Sequence, residues 1–355
     1  MIFSNNGYDN LKSVIIGNDL KLSKRYIDFT FKHFYKSNLG QSVYDYNELP
    51  EEYIITEKVL NERLEDLDNL AKTLEDLEIK VYRPKLLDKV VPFKTPSFKS
   101  ELSPANNVRD ITIVIDNYLI ETPIIVRNRT FENLSLYDIF KESTDYYKTP
   151  WIKAPITILT EDSVDMDDWF IERDFENIPK NFEAAIDGAN FLRLNKDIIV
   201  NIGNYNQYLG YLWIKNFFPN KIFYPVFICD SHIDGALTAL NEKTFLVNPK
   251  YEKIWEKLPE KFHPKNGYKY IYPEDTTRKY PKEKATNINI QLASERGMDI
   301  NVLSINPNTV IVSKDATGTI KALREHGFCV IPIRFRHSEI FAGGIHCSTL
   351  DLWRE

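Results

Sequence analysis

Four segments of the sequence repeat one pattern, and this repeat constrains the fold more than any other feature. In each segment an aspartate precedes an apolar strand, a turn beginning with Asp or Asn follows, and a second apolar strand completes a β-hairpin. The segments are RDITIVIDNYLIE (109–121), DGANFLRLNKDIIV (187–200), DGALTALNEKTFLV (234–247) and DINVLSINPNTVIV (299–312). Repeated modules around one axis would bring the aspartates to equivalent corners of a shared centre. For any one segment, ordinary turn chemistry explains the aspartate equally well.

Elements around the hairpins extend this pattern. Apolar residues predict a strand at Leu11–Ile16, and leucines at helical spacing predict a helix over 57–78, followed by the strand IKVYRP. In TGTIKALREHGFCVIPIRF a helix ends at Gly327 and a strand follows. The stretches 130–180 and 252–286 lack periodicity and are interpreted as insertions or active-site loops. We therefore expect one α/β domain spanning 1–355.

Composition excludes several classes of protein. The chain is 43% apolar and 27% charged and has no apolar run near the roughly 18 residues that a membrane span needs. Its net charge is -6, and its lysines are dispersed, so neither a membrane nor nucleic acid is expected as a partner. The start lacks the features of a secretory signal or transit peptide, which predicts a cytoplasmic location.

The three cysteines have to be considered one by one. No two of them are closely spaced, so no disulfide framework, metal site or other cofactor is expected. Cys229 and Cys329 lie in apolar strand contexts typical of a buried thiol, whereas Cys347 follows a Gly-Gly pair and His346 in AGGIHCSTLDLWRE. Cys347 is therefore the candidate nucleophile.

His232 is the candidate acid or base. It lies in CDSHIDG, two residues before Asp234, so the two side chains lie on one strand face. A histidine held at a strand end by hydrogen bonds is the more common situation for a lone histidine. Its position at the start of a repeated hairpin favours a shared site instead.

These motifs resemble the amidinotransferases of the glycine and inosamine-phosphate type, within the guanidino-group-modifying superfamily. The matching blocks are NNVRDITIVIDNYLIETPIIVRNR, FEAAIDGANFLRLNKDIIVNIGNYNQYLGYLWI, SHIDGAL and AGGIHCSTLDLWRE, in the family's order. The resemblance implies a five-bladed α/β propeller of ββαβ modules with pseudo-fivefold symmetry.

The resemblance also implies roles for individual residues. Cys347 would be the nucleophile, His232 the general acid and base and Asp187 its carboxylate partner, while Asp110 and Asp234 would hold the guanidinium. Further substrate-binding residues would be Arg127, Ser231 and Ser294. The implied reaction moves the amidino group of L-arginine to an amine through an S-amidino-cysteine and releases ornithine. Members of the family often form dimers, so the resemblance also implies a homodimer.

Some positions depart from the creatine-pathway members of the family. Those members have Met in place of Ser231, Asn in place of Cys229 and a carboxylate-binding Arg in place of Tyr251. They also have Tyr in place of Pro104 and a second Ser in place of Glu295. The site has thus lost positive charge and gained an acid, so the expected acceptor is a larger or more basic amine than glycine. Two alternatives stay open: a hydrolase of the same superfamily, and a catalytically silent propeller that binds a guanidino ligand or a partner protein.

Overall fold

The computed structural model describes residues 1–19, 24–36, 49–86, 91–144, 148–169, 171–274, 285–288 and 290–355. Its strands are β1 Leu11–Ile16, β2 Lys24–Tyr26, β3 Glu52–Ile54, β4 Lys80–Tyr82, β5 Pro92–Lys94, β6 Lys99–Glu101, β7 Thr112–Ile115, β8 Tyr118–Glu121, β9 Trp151–Lys153, β10 Phe191–Leu194, β11 Asp197–Asn201, β12 Ile222–Val226, β13 Leu237–Asn241, β14 Thr244–Val247, β15 Lys269–Ile271, β16 Leu303–Asn306, β17 Thr309–Ser313, β18 Cys329–Ile333 and β19 Thr349–Arg354. Its α-helices are α1 Phe29–Phe34, α2 Glu57–Asp76, α3 Val108–Ile111, α4 Tyr137–Ser143, α5 Tyr205–Lys215, α6 Glu295–Asp299 and α7 Thr317–Glu325.

Five three-stranded sheets share one design. Their strand orders are β19-β1-β4, β7-β8-β9, β10-β11-β12, β13-β14-β15 and β16-β17-β18. In each sheet the first two strands are antiparallel and the third is parallel to the middle one. The sheet β19-β1-β4 joins a strand near the end of the sequence to one near its start. The protein is therefore an α/β structure built from a repeated hairpin-plus-strand module.

The apolar faces of successive sheets pack on one another. One cluster joins Ile15 and Leu350 to Val114, and the next joins Ile113 to Phe191 and Val200. Each of these clusters buries branched or aromatic side chains, which supply most of the favourable free energy of packing.

The series of clusters returns to the first sheet. Leu192 packs with Leu237, and Leu246 packs with Val310. Leu303 then packs with Val14 of β1. Five clusters thus connect five sheets in sequence order, and the last sheet contacts the first.

Most of the predicted elements are confirmed. The strand Leu11–Ile16 has the predicted bounds, and the helix predicted over 57–78 spans Glu57–Asp76. It ends there because Glu78 adopts φ +62°, in the left-handed region. The four predicted hairpins are formed, as are α7 and β18 around Gly327, whose φ is +85°.

Two interpretations were wrong in part. The stretch 130–180 contains α4 and β9, and 252–286 contains three 3-10 helices between Ile254 and Asn266 and then β15. Both strands have only three residues, too few to show alternation, and both complete a sheet. Residues 275–284 of the second stretch lie outside the described residues.

Candidate active site

Each of the five sheets has one polar or nucleophilic residue shortly before its first strand, and these residues converge. They are Asp110, Asp187, Asp234, Asn301 and Cys347, which precede β7, β10, β13, β16 and β19. All five are buried. The repeat thus delivers side chains from distant parts of the sequence to one place.

The thiol of Cys347 lies between an amide and a carboxylate. Its Sγ is 3.1 Å from Nδ2 of Asn301, which donates to it, and 3.2 Å from Oδ2 of Asp234, to which the thiol donates. Burial, together with the charges of Asp234 and Asp110, raises the pKa of the Cys347 thiol well above its usual range. Without a ligand the residue is therefore a neutral thiol.

Asp234 is held as a carboxylate by its neighbours. His346 Nδ1 donates to Oδ2 of Asp234 at 2.8 Å. Burial alone would raise the pKa of Asp234, but the hydrogen bond from His346 and the positive charge of His232 outweigh it and lower this pKa to about 2. Burial, with Arg109 nearby, lowers the pKa of His346. A neutral His346 can donate this bond.

His232 forms a second acid–base pair with Asp187. Its Nε2 is 2.9 Å from Oδ2 of Asp187, while its Nδ1 is 3.5 Å from Oδ1 of Asp110. Burial would lower the pKa of His232, but Asp110 and Asp187 reverse this and raise it to about 9. The other oxygen of Asp187 accepts a bond from the backbone N–H of Ile125 at 3.1 Å, which fixes the carboxylate. At neutral pH His232 is an imidazolium that can donate a proton.

Asp110 is supported from its far side by a buried ion network. Arg129 donates to Oδ2 of Asp110 at 2.7 Å and to both oxygens of Glu132 at 2.8 and 2.9 Å. Burial raises the pKa of Asp110, although His232 and Arg129 oppose this shift. The other oxygen, Oδ1, is buried and has no hydrogen-bond partner among the described residues. The His232 imidazolium, 3.5 Å away, offsets part of the cost of burying this oxygen, and a cationic ligand would supply the hydrogen bond.

This arrangement suits a planar cation. Among the described residues, one oxygen of Asp110 and one of Asp234 accept no hydrogen bond, and a guanidinium carries five N–H donors that match such carboxylates. The nucleophilic sulfur contacts one of the two carboxylates, and an imidazolium lies beside the other. A guanidinium bound there would be next to both a thiol and a proton donor.

Three residues expected to bind substrate lie outside this cluster. Arg127 pairs with Asp28 at 2.6 Å, and its guanidinium lies over the rings of Phe29 and Phe98. The hydroxyl of Ser294 caps α6 by accepting from the N–H of Gly297 at 3.1 Å. Ser231 precedes His232, and its backbone oxygen accepts from Asn201 at 2.9 Å.

Sequence reasoning missed three residues of the cluster. Arg129, not Arg127, is the arginine of the Arg-x-Arg motif that contacts Asp110. His346 was noticed only as the neighbour of Cys347. Asn301 was overlooked because Asp299 fitted the repeat; Asp299 is the last residue of α6, and Asn301 reaches the sulfur. Its signal was its distance from the strand: Asn301, Asp110 and Cys347 each lie two residues before their strand.

Three of the positions that depart from the creatine-pathway members lie in an apolar cluster or line a cavity. Tyr251 packs in the apolar cluster that contains Cys229, where burial raises the pKa of both side chains, that of Cys229 to about 12. Pro104 lines a cavity of about 80 Å³ together with Asn107, Arg129 and Phe341. Arg129, which pairs with Asp110, thus lines this cavity together with tyrosine and phenylalanine side chains.

Known proteins resemble the whole chain. The L-arginine:L-lysine amidinotransferase of Pseudomonas savastanoi pv. phaseolicola is 27% identical over 300 residues, which cover 81% of this chain and 78% of that protein. Inosamine-phosphate amidinotransferase 1 of Streptomyces griseus is 27% identical over 84% of this chain and 82% of its own. The solved structure of the Streptomyces griseus inosamine-phosphate amidinotransferase StrB1 superimposes with a TM-score of 0.83 at 25% identity, covering 100% of this chain and 97% of the other. The homologues and the structural neighbours of the chain are thus amidinotransferases.

No protein-family model matches the chain. The homologous amidinotransferases are transferases, and so is this chain. Within the described part of the chain, no helix has the length and apolar character that a membrane span requires.

Proposed function

We propose that this amidinotransferase moves the amidino group of L-arginine to an amine acceptor through an S-amidino-Cys347 intermediate and releases ornithine. The observation that carries the proposal is the contact of Cys347 with Asp234, beside the His232–Asp187 pair and the unpartnered oxygen of Asp110. Such a set holds a guanidinium, attacks its central carbon and protonates the amine that leaves.

Binding of the donor prepares the nucleophile. A guanidinium between Asp110 and Asp234 offsets the two charges that keep the thiol protonated, so the pKa of Cys347 falls when the substrate arrives. The thiolate then attacks the central carbon, and a C–S bond forms. The C–N bond to the ornithine nitrogen breaks as the His232 imidazolium donates its proton to that nitrogen. The thiol proton passes to solvent when the donor binds, so the amine leaves neutral, the amidino cation stays on sulfur and His232 is left as a neutral imidazole.

The second half reverses these steps with another amine. His232 takes a proton from the incoming ammonium, and the free amine attacks the amidino carbon. The C–S bond breaks as the attacking nitrogen passes its second proton to the sulfur, so Cys347 returns as a thiol, His232 returns as an imidazolium and the acceptor departs as a guanidinium compound. Asp187 supports the imidazolium in both halves because its carboxylate is fixed 2.9 Å from the ring.

The donor and acceptor are proposed from relatives and from the site. The name of the Pseudomonas relative contains both arginine and lysine, and the name of the Streptomyces relative contains inosamine-phosphate. The present chain has Tyr251 and Glu295 where the creatine-pathway members have Arg and Ser. A larger or more basic amine than glycine is therefore the proposed acceptor.

The propeller expected for the family is also part of the proposal. Five sheets of one design, joined in order by five apolar clusters that lead back to the first sheet, support five blades around one axis. The homodimer and the cytoplasmic location stay predictions.

Intact-protein mass spectrometry tests the reaction directly. The wild type is mixed with L-arginine and no acceptor, beside Cys347→Ser and the matched control Cys329→Ser, which changes an exposed cysteine. We expect an added amidino group on the wild type and on Cys329→Ser only, together with ornithine. Citrulline without any amine would replace the transferase by a hydrolase. Neither adduct nor product would refute arginine as the donor.

A further inference from the structure

Asn301 uses both atoms of its side-chain amide on Cys347. Its Nδ2 donates to Sγ at 3.1 Å, and its Oδ1 accepts from the backbone N–H of Cys347 at 3.0 Å. The side chain is buried, and a Cβ at Gly344 would lie 2.6 Å from its Oδ1, so the glycine permits this close approach. Asn301 thus forms hydrogen bonds with both the side chain and the backbone of Cys347.

We propose that Asn301 is a positioning residue that holds Cys347 in place and stabilises its thiolate by donating a hydrogen bond to the sulfur. The inference rests on the proposed function, in which Cys347 is the nucleophile. A hydrogen bond to a charged acceptor is stronger than one to a neutral acceptor, so this bond favours the thiolate over the thiol.

The charged groups around the sulfur explain why such a donor is needed. Asp234 and Asp110 both disfavour a negative charge on Sγ. Arg63 of α2 is a buried cation whose charge favours it, and Arg63 donates to Ser348, the next residue, at 2.6 Å. His346 is neutral, and His232 is an imidazolium that is paired with Asp187. Asn301 is a neutral side chain that donates a hydrogen bond to the sulfur at 3.1 Å.

A purely structural role predicts something different. If Asn301 only fixed the backbone around Cys347, a substitution that keeps the shape of the side chain would leave the acidity of the thiol unchanged. Asn301→Asp keeps the shape and an oxygen for the Cys347 N–H. It replaces the Nδ2 donor by an oxygen that bears part of a negative charge. The acidity of Cys347 therefore separates the two roles.

Alkylation of Cys347 by iodoacetamide measures that acidity without any amidino donor. The rate is followed across pH by peptide mass spectrometry in a Cys329→Ser background. For Asn301→Asp we expect the profile to move to higher pH by at least one unit, or about tenfold slower alkylation at a fixed pH. Asn306→Asp, on the same hairpin, is the matched control and should leave the profile unchanged.

A second variant covers loss of folding. If Asn301→Asp does not fold, Asn301→Ala removes the donor without adding charge, and its profile should also move to higher pH. An unmoved profile in the folded variant overturns the proposal. Alkylation needs no arginine. If the wild type formed no amidino adduct, the proposed function would be refuted, but the alkylation profiles would still test the role of Asn301.

Discussion

Asp234 has two opposed effects on the reaction, and a single substitution separates them. It holds the guanidinium in the proposed mechanism, but it also keeps Cys347 protonated. Asp234→Asn should therefore slow amidino transfer from arginine by roughly 10- to 100-fold, because a charged hydrogen bond is lost. The same change should lower the pKa of Cys347 and speed its alkylation at neutral pH. Parallel transfer and alkylation assays check both directions, and normal transfer would remove Asp234 from the guanidinium site.

The Asp187–His232 pair sets a limit at alkaline pH. Asp110 and Asp187 raise the pKa of His232 to about 9, so the imidazolium persists through neutral pH and is lost as the pH rises past that value. Asp187→Asn weakens this support, and the pKa of His232 should fall towards its ordinary value near 6.5. The alkaline limb of the rate profile for adduct formation should then move to lower pH. An alkaline limb that stays in place would assign it to another group.

At the scale of elements, α5 positions Asp187 through a glycine. A Cβ on Gly210 would lie 2.5 Å from Cγ2 of Ile186 and 3.0 Å from its backbone nitrogen, one residue before Asp187. Ala normally stabilises a helix by about 1 kcal/mol over Gly, but here overpacking should cost roughly 1–3 kcal/mol. Gly210→Ala should thus lower the midpoint of urea unfolding and slow adduct formation.

Gly7→Ala is the matched control for this change. An added Cβ there meets no atom within 4 Å, so stability and adduct formation should both stay close to those of the wild type. If Gly210→Ala behaved like Gly7→Ala, then the contact between α5 and Ile186 would not govern the position of Asp187.

The elements also show which features a sequence can reveal. The hairpins and α7 were predictable because apolar spacing and the glycine at 327 are local signals. β9 and β15 were not, since their three residues are recognisable only by pairing with β8 and β14. Arg129 was not predictable either, because Arg127 and Arg129 share one motif and only the contact with Asp110 distinguishes them.

At the scale of the whole molecule, Asp351 connects three sheets. This β19 residue accepts from Arg109, just before β7, at 2.6 Å, from Arg193 of β10 at 2.9 Å and from Arg354 at 2.8 Å. Burial would raise the pKa of Asp351, but the three arginines hold it well below its usual range. Arg109 also donates to the backbone oxygen of His346 at 2.8 Å, so this network supports the Cys347 segment as well.

Breaking this network should therefore cost more than breaking an ion pair near the surface. Asp351→Asn leaves three buried arginines without their carboxylate, and we expect the free energy of unfolding at pH 7 to fall by about 3–5 kcal/mol. Because the folded pKa is depressed, the carboxylate's contribution is complete above its unfolded pKa of about 3.9 and is lost only as pH falls through the folded value. Urea unfolding at several pH values should show a constant deficit in the free energy of unfolding from pH 5 to 8 that shrinks in stronger acid.

Asp197→Asn is the matched control. It removes the 2.7 Å pair with Lys261 and should cost at most about 1 kcal/mol. Equal losses in the two variants would mean that the sheets are held together by their apolar clusters alone.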